Sequence, residues 1–241
     1  MDTLVSALES TNAPPATAYG VHIGNLNAAL ADPAYRDILE SATHLYADGT
    51  STRLVSRFLG THTPERLVTT DIIWPVLKAA ASGGHPVYFL GGPDGLAAEA
   101  AAIVEGSVSG LELVGAATGY FPFEAGERVA DAIARSGAHL VVVAMGVPRE
   151  QAFCWRFADR TGARLLMTSG GLFGYIAGRE IRAPLWMRRS GLEWAFRLVQ
   201  SPSRLGKRYS RGAIVTVRLA FAARSVRRHR LRHNDSPATT P

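Results

Sequence analysis

Asp48-Gly49 follows the short apolar segment His44–Ala47. A carboxylate placed where a strand gives way to a turn can accept a proton from a sugar hydroxyl. The same pair suits an ordinary turn leading into a Ser/Thr-capped helix. Gly91-Gly92-Pro93-Asp94-Gly95 follows Val87–Leu90, and glycines between a strand and a helix let backbone N–H groups approach a phosphate. Their spacing falls short of G-x-G-x-x-G, so a nucleotide diphosphate and a plain tight turn both stay open. After the apolar run Leu140–Met145 comes Gly146-Val-Pro-Arg-Glu-Gln151. Arg149, Glu150 and Gln151 there are candidates to bind a sugar or nucleotide, although an acidic residue in a first turn also answers the helix dipole. Gly170–Gly178 holds four glycines in nine residues, and Pro202-Ser-Arg204-Leu-Gly-Lys207-Arg208-Tyr209 is a basic cluster that reads equally as solvated surface.

Each of these places needs an element behind it. Apolar segments of strand length occur at Tyr19–Ile23, Thr43–Ala47, Arg66–Thr69, Val87–Leu90, Leu111–Val114, Leu140–Met145 and Arg164–Thr168, separated by stretches of helical spacing. Helix starts are legible at Asp71 before Ile72–Ala81, at Gly92-Pro93 before Asp94–Glu105 and at Pro148 before Arg149–Thr161. Ser190-Gly-Leu-Glu193 reads as a capping box for a helix through Gln200. The pattern predicts an α/β fold: a Rossmann-like, mostly parallel sheet with helices on both faces, plus a basic C-terminal appendage. In such a sheet the chemistry sits just after the strands. Residues 1–200 are expected to form the catalytic domain, 201–233 the appendage and 234–241 a disordered tail.

Composition bounds the rest. The chain has 241 residues, 47% apolar and 19% charged, with one cysteine, Cys154. That excludes a disulfide scaffold and any multi-cysteine zinc site, and it suits a reducing compartment. No secretory signal or membrane-spanning run is visible, so synthesis and work in the cytoplasm are expected. The net charge of +6 conceals a division: from Arg179 onward fifteen basic residues face three acidic ones, whereas residues 1–178 are net acidic. A local field of that size attracts phosphates, anionic lipid or nucleic acid.

In order along the chain, Asp48-Gly49, Pro64-Glu-Arg66, Asp71, Phe89-Leu-Gly-Gly92, Gly119-Tyr-Phe121, Gly146-x-Pro148, Arg182-Ala-Pro184, Gly191-Leu-Glu-Trp194, Arg197-Leu198 and Pro202-x-Arg204-x-x-x-Arg208-Tyr209 resemble the WecG/TagA/CpsF glycosyltransferases. The resemblance spans about Tyr19 to Tyr209, and the ordered set is more specific than any one piece. It implies transfer of a sugar from a UDP-sugar to a polyprenyl-diphosphate-linked sugar acceptor at the cytoplasmic membrane face, in cell-surface polysaccharide or teichoic-acid-type synthesis. It further implies inversion at the anomeric carbon, no metal or other cofactor, and possible homo-oligomers.

Carried over by position, the resemblance implies that Asp48 is the catalytic base. Asn25, Asn27, Arg66, Asp71, Gly91, Gly92, Tyr120, Arg149, Glu150, Gln151, Arg204 and Arg208 become the substrate-binding candidates. Asn25 stands where the family usually has Thr, Glu150-Gln151 exchanges the family's Gln-Glu order, and Gly174 after Phe173 replaces an Asp. The metal-free expectation has independent support, since the chain has no Asp-x-Asp pair and arginine can offset diphosphate charge in place of a cation. A nucleotide-binding oxidoreductase and a nucleic-acid binder using Arg224–Arg232 are the alternatives that the residues alone leave open. Gly206–Arg232 is expected to hold the protein peripherally on the inner, anionic membrane surface, with no nucleic-acid partner.

Overall fold

The computed structural model describes residues 2–11, 13–49, 52, 56, 68–184, 186–187 and 193–200. Chain order is α1 (Asp2–Glu9), β1 (Ala16–Val21), α2 (Ile23–Ala31), α3 (Pro33–Glu40), β2 (His44–Ala47), α4 (Thr69–Ser82), β3 (Val87–Gly91), α5 (Leu96–Ser107), β4 (Leu113–Ala117), a 3-10 turn (Phe123–Ala125), α6 (Gly126–Ser136), β5 (Leu140–Ala144), α7 (Arg149–Thr161), β6 (Leu165–Thr168), α8 (Leu172–Ile176) and α9 (Glu193–Gln200). The six strands form one sheet in the order β2-β1-β6-β5-β3-β4, and every pairing is parallel. Strands buried on both faces read as continuous apolar runs, as Leu140–Ala144 does. Its alternate side chains supply two cores: Leu140, Val142 and Ala144 pack with α1, α4, α5 and α8, while Val141 and Val143 pack with α3, α6 and α7. Among the described residues no helix is long and apolar enough to cross a membrane.

Several boundaries depart from the sequence reading. Ile23, expected at the end of the first strand, begins α2. The strand stops at Val21 because His22 accepts a hydrogen bond from Gly24 N–H while Asn25 Oδ1 accepts one from His22 N–H, a reciprocal cap that closes the first turn. The strand expected at Leu111–Val114 runs later, Leu113–Ala117. The strand expected at Arg66–Thr69 is not seen at its described end: Val68 is extended and Thr69 opens a helix of fourteen residues, so Asp71 lies inside the first turn rather than before it. Gly95, with φ +81°, turns the chain so that α5 begins at Leu96, not Asp94. The helix expected at Arg149–Thr161 has those bounds, and the helix ending at Gln200 begins at Glu193. The proposed cap Ser190–Leu192, Arg66, Arg204, Arg208, the appendage and the tail lie outside the described residues.

Candidate active site

A parallel sheet puts every strand's carboxyl end on one edge. β3 and β5 are neighbours there, and α5 and α7 leave them for opposite faces, which opens a crevice. The strands approach closely at this point: Gly91 has φ +150°, and a Cβ on it would lie 2.2 Å from Ala144 O. Gly92 N–H donates to Ala144 O at 2.9 Å, and Gly119 N–H donates to Gly92 O at 2.9 Å. The Gly92 amide is therefore committed to the neighbouring strand end rather than held out for a phosphate.

Asp48 stands at the end of β2, its N–H donating to Val21 O at 2.9 Å. Its carboxylate meets the start of α4: Thr69 N–H donates to Oδ1 at 3.3 Å and Thr69 Oγ1 donates to Oδ2 at 3.1 Å. Tyr46 lies two residues earlier on the strand. Its hydroxyl is 3.0 Å from Thr69 Oγ1 and donates to Thr168 O at 3.4 Å. Because an ionised carboxylate only accepts, the Thr69 proton belongs to Asp48, and the single Tyr46 hydroxyl proton is shared between Thr69 Oγ1, the nearer acceptor, and Thr168 O. Burial raises the Tyr46 phenol far above its ordinary range, and the Asp48 charge raises it further, so it stays protonated. To reach β6 from β2, the Tyr46 ring must pass β1. It does so over Gly20, its register partner, where a Cβ would come within 3.0 Å of the ring.

A buried carboxyl belongs to Glu150, whereas Asp48 is only half-buried. Oε2 accepts from Gly146 N–H at 2.9 Å and from Gly170 N–H at 3.0 Å, and Oε1 accepts from Gln151 Nε2 at 3.1 Å. Burial pushes it up to about 7 from the usual 4.5, against the amide donors of Gly146 and Gly170, which pull it down. Gln151 is completely buried, and its Oε1 has no partner.

The predicted residues that the structure describes are distributed along the carboxyl edge of the sheet. Asp48, Glu150 and Gln151 lie at the ends of β2 and β5, with only β1 and β6 between those strands. Asn27 on α2 has a buried Oδ1 without a partner. Asn25 is used internally, accepting from His22 N–H and donating to Tyr35 Oη at 2.9 Å. Asp71 pairs with Arg182 at 2.8 Å. Arg149 donates to Phe121 O and lies 4.7 Å over the Phe121 ring, so it fastens the turn after β4. Tyr120 in that turn is 76% exposed. Gly91 and Gly92 are four strand spacings from Asp48, roughly 19 Å at about 4.8 Å per strand. Gly20, Tyr46 and Thr69 are site residues that the sequence reading passed over. The available signal was period two, which puts Tyr46 and Asp48 on one side of their strand.

Residues 1–230 match the model of the family described as glycosyl transferase WecG/TagA/CpsF. The chain is also 29% identical, over 201 residues, to the N-acetylglucosaminyldiphosphoundecaprenol N-acetyl-beta-D-mannosaminyltransferase of Bacillus spizizenii, an alignment covering 83% of this chain and 77% of that protein.

Proposed function

This chain belongs to the WecG/TagA/CpsF family of glycosyl transferases, and on that premise we propose that it moves a sugar from a UDP-sugar to a sugar on a polyprenyl diphosphate, with inversion and without a metal. The Bacillus spizizenii relative is named for an N-acetylmannosaminyl donor group and an N-acetylglucosaminyl-diphosphoundecaprenol acceptor, so substrates of that class are the first to try. The observation that supports the reading is the Asp48 carboxylate, fixed by Thr69 at the carboxyl edge of the sheet. In this reaction Asp48 takes the proton of the acceptor hydroxyl as that oxygen bonds to the anomeric carbon. The bond from that carbon to the UDP oxygen breaks on the opposite face, and UDP leaves with the electron pair. A carboxylate oxygen can accept more than one hydrogen bond, so holding Thr69 and receiving a hydroxyl are chemically compatible.

Asn27 is assigned to the substrates because its Oδ1 has no partner within the protein. Arg66, Arg204 and Arg208 are assigned to the diphosphates, since a guanidinium fork pairs bidentately with phosphate oxygens. The oxidoreductase and nucleic-acid readings give way to the family match. Full-length protein given a panel of UDP-sugars and a short-chain lipid-diphosphate N-acetylglucosamine, with and without EDTA, tests the proposal. Lipid-linked disaccharide and free UDP are expected, unchanged by EDTA. Failure with every UDP-sugar, or loss of activity in EDTA, would overturn the donor class or the metal-free mechanism respectively.

A further inference from the structure

Asp48 and Glu150 are joined by a continuous chain of contacts. From Asp48 Oδ2 it runs through Thr69 Oγ1 to the Tyr46 hydroxyl and on to Thr168 O. Two residues beyond Thr168, Gly170 N–H donates to Glu150 Oε2, and the same oxygen takes Gly146 N–H from the end of the neighbouring strand. Ser169, between them, is tied to Val143 O by both its N–H, at 2.8 Å, and its hydroxyl, at 3.2 Å. The turn after β6 is thus held on one side by a buried carboxylate, and on the other it supplies the carbonyl against which Tyr46 rests. We propose that Glu150 is a positioning residue for Asp48: its ionised carboxylate clamps the turns after β5 and β6 together and so sets the Thr168 carbonyl, Tyr46, Thr69 and finally the base. The inference deepens the proposed function, since it rests on Asp48 being that base.

The clamp is built to sense one proton. A carboxylate oxygen can accept both glycine amides at once, and charge-assisted bonds of this kind are about twice as strong as neutral ones. Protonation weakens that acceptor. Gln151 offers the new O–H a place to go: its unpartnered Oε1 is buried beside Glu150, and turning the amide over would present an oxygen where Nε2 now donates. Both protonation states therefore have a partner, but only the ionised one holds the two glycines with a full charge. The groups that feel this carboxyl are Tyr35 on α3, Tyr46 on β2 and Cys154 one turn along α7; burial raises all three, so they stay neutral through the range in question. Glu180 faces the far side of the same turn, its side chain close to Gly171 and Gly174. Arg149, adjacent in sequence, is turned away onto Phe121. Arg160, with Asp131 and Glu127, sits nearly three turns further along α7.

Amide spectra of the full-length protein, recorded from pH 5.5 to 8.5 without substrate, test the clamp independently of any sugar transfer. Gly146 and Gly170 amide protons should move together with one midpoint near the value of about 7 at which Glu150 titrates, and should stop moving in Glu150→Gln. Turnover should rise about tenfold from pH 6 to pH 8, the change in ionised fraction for such a group, and that rise should vanish both in Glu150→Gln and in Tyr46→Phe. The amide titration should survive in Tyr46→Phe. Glycine amides that do not titrate, or that titrate unchanged in Glu150→Gln, would overturn the clamp. A turnover profile that either variant leaves intact would overturn its link to Asp48. Absence of transfer with intact amide titration would count against the proposed function instead.

Discussion

At the scale of single residues, the two carboxyls at the strand ends face opposite demands. Asp48 meets an N–H and a hydroxyl from one threonine, an arrangement that fixes its direction. Thr69→Ala keeps the N–H and removes the hydroxyl. It should cost little in folding, about 1 kcal/mol, yet lower turnover more than stability alone explains, as read by comparing kcat with chemical denaturation. Glu150 carries the cost of burial instead. Its folded pKa lies above its ordinary 4.5, at about 7, so the folded state holds the proton more tightly than the unfolded chain. Its contribution is fully present below about pH 4.5 and is lost as pH rises towards 7. The melting temperature of wild type should therefore fall over that window relative to Glu150→Gln, and parallel curves would contradict the assignment. Sequence reading reached both carboxyls, because a charged residue after an apolar run stands out. It set Glu150 among the ligand-binding candidates because nothing local shows that its partners are two glycine amides, one of them twenty residues away in Gly170.

At the scale of elements, the strands at Val87, Leu140 and Leu165 and the helix starting at Arg149 are legible because short apolar runs and a proline at the helix cap are local signals. The start of α2 is not: it depends on a histidine and an asparagine capping each other, residue types with many other uses. The strand expected at Arg66–Thr69 gave way to helix at Thr69, where Asp48 from a distant strand supplies the hydrogen bonds that Val68 does not. Gly20 shows a further limit, since its reason is a ring from the next strand. Gly20→Ala would place a methyl 3.0 Å from the Tyr46 ring and from Thr69 Oγ1. Overpacking of this kind costs about 1–3 kcal/mol. Gly91→Ala should cost more, because the obstacle is the Ala144 backbone at 2.2 Å rather than a side chain that can turn. Thermal unfolding of the two variants should rank them in that order.

At the scale of the whole molecule, a net-acidic segment of residues 1–178 is followed by a strongly basic C-terminal quarter, and the proposed lipid-linked acceptor would give that asymmetry a purpose. Basic residues near an anionic surface contribute about 1 kcal/mol each. Co-sedimentation with vesicles should need anionic lipid, weaken with salt and disappear when the chain is cut after Lys207; equal sedimentation of the truncated protein would refute a membrane role for the tail. We propose Asp48 as the base of the glycosyl transfer. The most direct test is transfer from a UDP-sugar to a lipid-diphosphate acceptor by full-length wild type and Asp48→Asn side by side, with UDP binding measured on both. The variant is expected to bind UDP as wild type does and to turn over slower by roughly 10² or more, the scale of a lost general base. Wild-type turnover in Asp48→Asn would contradict it.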